Sequence, residues 1–223
     1  MIDLRLAIFD VDGTLADSQA EIVGAMRAAF AAEGRAAPAR AAILSIVGLS
    51  LDQAMARLAP ELGEAAQGRL VQAYRDAYFA QRKANGASPL YPGARALLER
   101  LARDEALLMG VATGKTKRGL DALIEAHDLA GFFVTRQTAD FHPSKPHPAM
   151  IEAALTEAGV DADRAVMIGD TAFDIDMAVA ARTRAIGVSW GYHPTSALAQ
   201  ADRIAGDFEE LGHMVETLWR DEA

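Results

Sequence analysis

The feature that most constrains this chain is a short apolar run followed at once by two aspartates. Leu4–Phe9 has the composition of a buried strand, and the residues after it are Asp10-Val11-Asp12-Gly13-Thr14. Two carboxylates one residue apart repel each other, so one pKa rises or a cation lies between them. Such clusters are typical of sites that carry chemistry. The pattern therefore predicts a strand that ends at a catalytic or metal-binding site.

Further apolar runs alternate with Ala-rich stretches of helical periodicity. The runs are Leu107–Ala112, Phe132–Thr135, Ala165–Ile168 and Ala185–Ser189, and the predicted helices between them include Ala94–Arg103, Thr116–His127, Ala149–Ala158 and Ala172–Ala181. This alternation predicts an α/β fold with a doubly wound parallel sheet. Ligands bind beyond the carboxyl ends of such strands. We therefore expect Thr113-Gly114-Lys115 and Gly169-Asp170, which follow two of the runs, to lie near Asp10.

The stretch between residues 18 and 86 contains no strand-like run and predicts an inserted all-helical cap. Its apolar residues recur at helical spacing, and Leu70, Tyr74 and Tyr78 are assigned to the interior of this cap. A capping box at Ser50–Gln53 predicts one helix start, and Gly86 predicts a helix end. The predicted domains are a catalytic core of residues 1–16 and 88–223 and a cap of residues 17–87, with hinges near Gly13–Ser18 and Ala84–Pro92.

Composition narrows the class of protein. The chain has 223 residues, a formal net charge of −9 and no cysteine. A nucleic-acid binder needs a basic face, so no nucleic-acid partner is expected. Without cysteine there are no disulfides or thiolate metal sites, and no apolar stretch approaches the roughly 20 residues that span a bilayer. The first residues do not resemble a signal peptide. A cytoplasmic protein with no membrane partner is predicted, and its oligomeric state stays open.

The segment Asp10–Thr14 resembles the nucleophile motif of the haloacid dehalogenase superfamily, in its phosphatase version. The family's other motifs follow in the same order. Val111-Ala112-Thr113-Gly114 matches the second, Lys145 within Pro143–Pro148 matches the third, and Gly169–Asp174 matches the acidic fourth, G-D-x-x-x-D. The resemblance extends over the whole chain. It implies a phosphotransferase with a helical cap, most similar to the phosphoglycolate phosphatases.

The resemblance also implies roles for the residues that attack and bind the phosphate. Asp10 matches the nucleophile that forms an aspartyl-phosphate, and Asp12 matches the general acid and base. Thr113 and Gly114 would bind the transferring phosphoryl group. Lys145 would be a positioned cation between the phosphate and Asp10.

A metal site is implied as well, since oxygen ligands beside a phosphate suit Mg²⁺. Asp10, the carbonyl of Asp12, and Asp170 match direct ligands. Asp174 would act through a bound water or by orienting Lys145. The expected substrate is a small-molecule phosphate ester, and its alcohol would be selected by the cap loops around Val47–Leu51 and Ala84–Tyr91.

Three other functions are compatible with parts of this pattern. A phosphosugar mutase similar to β-phosphoglucomutase shares all four motifs but needs polar cap groups that hold a sugar in two orientations. Inorganic pyrophosphate is an alternative substrate. A catalytically silent binding protein of the same fold is disfavoured, because none of Asp10, Asp12, Lys145 and Asp170 is missing.

Several residues outside the motifs carry weaker signals. His142, His147 and His193 lie in Pro-rich loops and lack the spacing of zinc ligands, so we predict solvated histidines. Trp190–His193 follows the last predicted strand, and it either closes the site or packs against the core. Arg182 stands where many relatives end the helix with glycine, which leaves the geometry of that helix end open.

Overall fold

The fold is built on a parallel sheet, and the computed structural model describes residues 3–219. The strands among these residues are β1 (Arg5–Phe9), β2 (Leu107–Thr113), β3 (Thr135–Thr138), β4 (Ala165–Gly169), β5 (Arg184–Val188) and β6 (Arg203–Ala205). Neighbouring strands pair in parallel in the order β3-β2-β1-β4-β5-β6. The central strands are apolar because both faces of the sheet are covered.

Helices on both faces of the sheet complete the doubly wound arrangement. The helices are α1 (Gln19–Ala32), α2 (Arg40–Leu44), α3 (Leu51–Leu58), α4 (Glu64–Asn85), α5 (Ala94–Leu101), α6 (Lys117–Ala126), α7 (Ala149–Ala158), α8 (Ala172–Ala181) and α9 (Phe208–Thr217). Apolar residues of α5, α6 and α9 form one core cluster with the sheet, and those of α7 and α8 form a second. The predicted α/β class is confirmed.

The order of the strands fixes where a ligand can bind. From β1 the chain adds β2 and β3 on one side and then β4, β5 and β6 on the other. The crevice at such a switch point, beyond the carboxyl ends of the strands, is the usual ligand site of an open α/β sheet. Phe9 of β1 pairs with Ile168 of β4, so the residues after these two strands are neighbours.

Helices α1–α4 form an insertion between β1 and α5 with an apolar cluster of its own. Met26, Ile43, Met55 and Leu70 are almost fully buried in this cluster. The predicted assignment to the interior is right for Leu70 and Tyr74, whereas Tyr78 is only partly buried. The cause is the position of Tyr78, which faces a cavity described below.

The two chain segments that connect the sheet to the insertion, here called the paired crossings, run side by side. The Asp17 amide donates to the Pro89 carbonyl at 2.9 Å, and the Tyr91 amide donates to the Leu15 carbonyl at 2.9 Å. Ala16 bridges to Leu90 in the same stretch. The outgoing and returning segments are therefore joined through their backbones.

The ends of α1 and α4 follow from the sequence. Gly34 and Gly86 have φ values of +67° and +86°, which glycine adopts without a steric penalty.

Helix α4 has 22 residues but carries charged side chains along its length. Across residues 3–219, no helix combines the length and the apolar composition that crossing a membrane requires.

One predicted strand is misplaced, one observed strand was not predicted, and one predicted capping bond is absent. The predicted strand Phe132–Thr135 is displaced, since the observed β3 begins at Thr135 and has the polar sequence TRQT. An edge strand needs no continuous apolar run, and Phe133 is instead buried in the irregular connection before β3. The three-residue edge strand β6 carried too little pattern to be predicted. Ser50 is the N-cap of α3 but makes no side-chain capping bond.

The end of α8 keeps a left-handed residue without glycine. Arg182 has φ +59° and ψ 31°, and the amide of this residue donates to Val179. A residue with a Cβ atom pays a steric penalty in this region. Arg182 therefore ends the helix in the left-handed conformation that glycine adopts more easily.

Candidate active site

Asp10 lies at the centre of the site because β1 ends at Phe9. Its amide donates to the Ile168 carbonyl at 2.9 Å, and its side chain is fully buried. The chain then turns sharply at Gly13, which has φ +90°. A Cβ atom at Gly13 would lie 2.3 Å from the Asp170 carboxylate, so only glycine allows the two segments to approach.

Lys145 bridges two of the predicted carboxylates. Its Nζ atom lies 2.9 Å from Asp10 Oδ1 and 2.5 Å from Asp174 Oδ1, and all three side chains are fully buried. Burial acts to lower the pKa of Lys145, but the attraction of Asp10 and Asp174 outweighs it and raises the pKa. Lys145 is therefore a fixed ammonium inside the protein.

Asp174 is oriented by the start of α8. Its Oδ2 atom accepts hydrogen bonds from the Thr171 amide at 3.0 Å and the Thr171 hydroxyl at 2.7 Å. Thr171 and Asp174 form a capping box, with the Thr171 Oγ1 atom accepting from the Asp174 amide. One oxygen of Asp174 is thus used by the helix cap and the other by Lys145.

Asp170 follows β4 and is held from two directions. Its Oδ1 atom accepts from the Thr14 hydroxyl at 3.0 Å, and its Oδ2 atom accepts from the Tyr192 amide at 2.8 Å. Gly191 passes so close that a Cβ atom there would lie 2.1 Å from the Cβ of Asp170. Thr14 belongs to the first motif, but the motif alone predicts no role for its side chain.

Together these side chains form a group that fits a metal ion. Ligand atoms of Asp10, Asp170 and Asp174 all lie within 4.8 Å of one another. These three buried carboxylates have one ammonium among them, which pairs with Asp10 and Asp174, and Asp10 Oδ2 has no hydrogen-bond partner among the described residues. An excess of buried negative charge is costly unless a cation joins it, and hard oxygen donors suit a divalent cation such as Mg²⁺.

The electrostatics of the group follow from its burial. Desolvation raises the pKa of Asp10 to about 6, against the opposing effect of Lys145. Desolvation also raises the pKa of Asp170 well above its ordinary value, and the charges of Asp174 and Asp10 add to this rise. Both carboxyls thus hold protons more tightly in the metal-free protein than in water.

Asp12 points to a different cation. Its Oδ1 atom lies 2.9 Å from the Nζ atom of Lys115, which donates to the Tyr78 hydroxyl at 3.1 Å. Burial acts to lower the pKa of Lys115, but attraction to Asp12 and Tyr78 outweighs it and raises the pKa. The sequence motifs predict no role for Lys115. The available signal was its position directly after Thr113-Gly114 at the end of β2.

Thr113 and Gly114 close the site on the β2 side. Thr113 is buried at the end of the strand, and its Oγ1 atom accepts from the Lys115 amide at 3.3 Å. A Cβ atom at Gly114 would lie 2.4 Å from the Gly48 carbonyl oxygen and 2.7 Å from that of Leu49. Gly114 therefore permits the insertion to approach the sheet.

The segment Trp190–His193 braces the loop after β1. The Trp190 indole donates to the Thr14 carbonyl at 3.1 Å, and the Ser18 amide donates to the Tyr192 hydroxyl at 3.0 Å. The segment thus both packs against the core and supports Asp170.

The prediction of a solvated His193 is wrong, because this ring is half-buried between the sheet and the insertion. Its Nδ1 atom accepts from the Ala172 amide at 3.2 Å, and its Nε2 atom lies 3.1 Å from the Ser45 carbonyl oxygen. Burial lowers the pKa of His193. His147, by contrast, is exposed as predicted.

A cavity of about 570 Å³ extends from Asp10 and Asp12 into the insertion. The predicted loop Val47–Leu51 contributes Val47, Gly48, Leu49 and Leu51 to its lining, whereas none of the lining residues comes from Ala84–Tyr91. Helix α4 contributes instead, through residues that include Tyr74, Tyr78 and Phe79. The cavity has the size of a small-molecule site.

A doubly wound parallel sheet, an acidic group at its switch point and a cavity shared with a helical insertion define an α/β enzyme. Comparison with known families specifies it further: residues 7–188 match the model of the haloacid dehalogenase-like hydrolases. The chain belongs to this family.

Named relatives are similar over almost their whole length. Probable phosphatase IndB of Dickeya dadantii is 35% identical, with 92% of this chain and 91% of that protein covered. Phosphoglycolate phosphatase of Rhodospirillum rubrum is 34% identical, with 93% and 89% covered. Among solved structures, CbbY of Rhodobacter sphaeroides in complex with xylulose-(1,5)bisphosphate has a TM-score of 0.80 at 26% identity, with 95% and 97% covered.

Proposed function

We propose that this chain is a Mg²⁺-dependent phosphatase of small phosphate monoesters that acts through an aspartyl-phosphate. One observation carries the proposal. Lys145 holds Asp10 and Asp174 in a fully buried acidic group, while Asp10 Oδ2 remains without a hydrogen-bond partner among the described residues. An unpartnered carboxylate oxygen beside a fixed ammonium is suited to attack on a phosphoryl group or to ligation of a cation.

In the first half of the proposed reaction, a carboxylate oxygen of Asp10 attacks phosphorus and the bond to the alcohol oxygen breaks. Asp12 gives its proton to the departing oxygen. Lys145 and the Thr113 hydroxyl would stabilise the charge on the phosphoryl oxygens. Mg²⁺, held by Asp10, Asp170 and the Asp12 carbonyl with Asp174 nearby, would supply further neutralisation of this charge when bound.

In the second half, water attacks the phosphorus of the aspartyl-phosphate and its proton passes to Asp12. The bond between phosphorus and the Asp10 oxygen breaks, which releases inorganic phosphate and restores both aspartates. The Lys115 ammonium, 2.9 Å from Asp12 Oδ1, would hold this carboxyl group in position between the two steps.

The domain division is part of the proposal. A core of residues 1–16 and 88–223 would carry the motifs, and a cap of residues 17–87 would cover them. The separate apolar cluster of α1–α4 and the paired crossings support this division. Opening between the two parts would admit the ester and closing would exclude bulk water.

The nature of the cavity favours a phosphatase over the alternatives. A phosphosugar mutase needs polar cap groups that hold a sugar in two orientations, and the insertion lines the cavity largely with apolar residues. Pyrophosphate would leave this apolar space unused. A silent binding protein is disfavoured because Asp10, Asp12, Lys145 and Asp170 all converge on one region.

Phosphate release tests the proposal directly. The panel contains 2-phosphoglycolate, because relatives carry that substrate's name, together with hexose phosphates, nucleotides, pyrophosphate and p-nitrophenyl phosphate. Turnover should require Mg²⁺ and be abolished by Asp10→Asn, while Asp52→Asn on the exposed surface of α3 retains it. No release from any compound, or full activity in Asp10→Asn, would overturn the proposal.

A further inference from the structure

The residues that line the cavity indicate which kind of alcohol group the substrate would carry. Beyond Asp10 and Asp12, the insertion contributes a set of apolar side chains that we call the apolar wall. The apolar wall consists of Ile22, Met26, Ile46, Val47, Leu49, Leu51, Ala54, Tyr74, Tyr78 and Phe79. It comes from four separate segments of the insertion, namely α1, the loop before α3, α3 itself and α4.

The cations that line the deep part of the cavity already have partners. Lys115 is 7% exposed and its Nζ atom is shared by Asp12 and Tyr78. Arg82 donates to the Ala122 carbonyl of α6. The other lining cations, Arg75, Lys83 and Arg118, are exposed and so lie at the cavity's mouth.

An alcohol with a carboxylate or several hydroxyls would therefore meet apolar carbon where it needs hydrogen bonds. Polar groups buried without partners cost free energy, whereas apolar surface buried in such a site is favourable. Glycolate, a two-carbon acid, would also leave most of the 570 Å³ unfilled. The cavity suits a longer and less polar alcohol.

We propose that the preferred substrate is a phosphate monoester whose alcohol carries an extended apolar carbon body, aliphatic or aromatic, that packs against the apolar wall. This inference rests on the proposed phosphatase function. The phosphoryl group would lie at Asp10 and Lys145, and the carbon body would extend into the insertion between α1 and α4.

Phe79 is the residue of the apolar wall best placed to act on specificity without supporting the fold. Its side chain is 50% exposed, and the Arg118 guanidinium lies 4.2 Å from the centre of its ring. It therefore covers the mouth of the cavity and is not part of a core. Truncation there shortens the apolar wall and leaves the buried cluster intact.

The test uses n-alkyl phosphates, since ethyl, butyl and hexyl phosphate share one leaving-group chemistry and differ in apolar length. A matching apolar pocket discriminates by about tenfold or more per methylene at its best. We expect kcat/KM to rise at least about tenfold from ethyl to hexyl phosphate, and benzyl phosphate to exceed 2-phosphoglycolate. A flat or falling series, or a preference for 2-phosphoglycolate, would overturn the inference while leaving the phosphatase proposal intact.

Two variants connect the effect to the apolar wall. Phe79→Ala should reduce the advantage of hexyl over ethyl phosphate several-fold, measured as the ratio of the two kcat/KM values. Phe141→Ala is the matched control, because Phe141 is 68% exposed and does not line the cavity. Equal effects of the two variants on this ratio would contradict the assignment of Phe79 to the substrate-binding wall. Absence of phosphate release from every ester would instead contradict the proposed function itself.

Discussion

The ammonium of Lys115, on the sheet side, donates to the hydroxyl of Tyr78, on helix α4 of the insertion, across 3.1 Å. Since Lys115 also contacts Asp12, Tyr78 of the insertion is connected to the predicted general acid through two contacts, with Lys115 between them. The position of α4 and the surroundings of Asp12 are therefore linked through a single side chain.

Removing the Tyr78 hydroxyl tests this link. Tyr78→Phe keeps the ring that faces the cavity but removes one hydrogen bond from Lys115, which is worth about 0.5–1.5 kcal/mol. We expect kcat/KM to fall by roughly 2- to 10-fold, the rate equivalent of that energy. Steady-state kinetics measure it, and Asp52→Asn, at an exposed position of α3 that does not line the cavity, serves as the control. An unchanged kcat/KM in Tyr78→Phe would mean that the contact has no part in turnover.

Lys145 should matter for stability as well as for activity. Lys145→Met leaves Asp10 and Asp174 buried without their shared cation, a change that typically costs about 3–5 kcal/mol. We expect a lower urea midpoint at neutral pH and at least about a 100-fold loss of kcat. Lys117→Met replaces a lysine whose side chain is 56% exposed and should leave both unchanged. Equal midpoints for the two variants would contradict the role of Lys145 in the buried group.

Magnesium binding should depend on pH in a defined direction. Without a bound metal, Asp10 stays protonated below about pH 6, because desolvation raises its pKa to about 6. This pKa is higher than that of an ordinary aspartate. The pKa of Asp170 is also raised by burial. Because ligation requires the ionised carboxylates, affinity for Mg²⁺ should fall as pH decreases through about 6, with protons released on binding there.

Calorimetry in buffers of different ionisation enthalpy measures this proton release. We expect it to be clear near about pH 5.5, smaller near about pH 8, and reduced in Asp10→Asn. An affinity that is independent of pH, or a release unaltered by Asp10→Asn, would argue against Asp10 as the titrating ligand.

Gly191 should tolerate no side chain. A methyl group there would lie 2.1 Å from the Cβ of Asp170, whose own position is fixed by Thr14 and the Tyr192 amide. Gly191→Ala should therefore displace Asp170 and weaken Mg²⁺ binding, with a loss of stability of about 1–3 kcal/mol. Gly131→Ala, at a position with nothing within 4 Å, is the control. Metal affinity equal to that of the native chain would refute the steric argument.

Arg182→Gly should stabilise the protein. Arg182 has φ +59° at the end of α8, where glycine avoids a penalty of about 1–2 kcal/mol but loses more chain entropy on folding. We expect a net gain of about 0.5–1 kcal/mol, measured by urea unfolding. Ala181→Gly, one position earlier inside the helix, should instead destabilise by about 1 kcal/mol. A destabilised Arg182→Gly would show that the arginine side chain has an important contact.

The parts of the fold that could be predicted were those with strong local patterns. The buried strands β1 and β4 combine an apolar run with a polar residue at the end, and both were located to within one residue. The edge strands β3 and β6 were not located correctly from the sequence, because their side chains are not enclosed on both faces. Sequence periodicity reports burial, and it is silent where burial is partial.

Local sequence patterns also leave some side-chain contacts of the site unpredicted. The motifs identify Asp10, Asp170 and Lys145, which the structure brings together. The contacts of Lys115 with Tyr78 join residues 37 positions apart on different elements, and no local pattern encodes such a pair. Helix α4 was assigned to the interior of the insertion on its spacing alone, which does not distinguish a core from the wall of a cavity.

The paired crossings at Leu15–Asp17 and Pro89–Tyr91 have a mechanical consequence. Because the two segments hydrogen-bond to each other, a displacement of the insertion has to carry both together. Two segments joined in this way act as one hinge, since neither can turn without the other. Rotation about a single axis beside Asp12 would then lift Tyr78 away from Lys115 and open the cavity in one concerted movement.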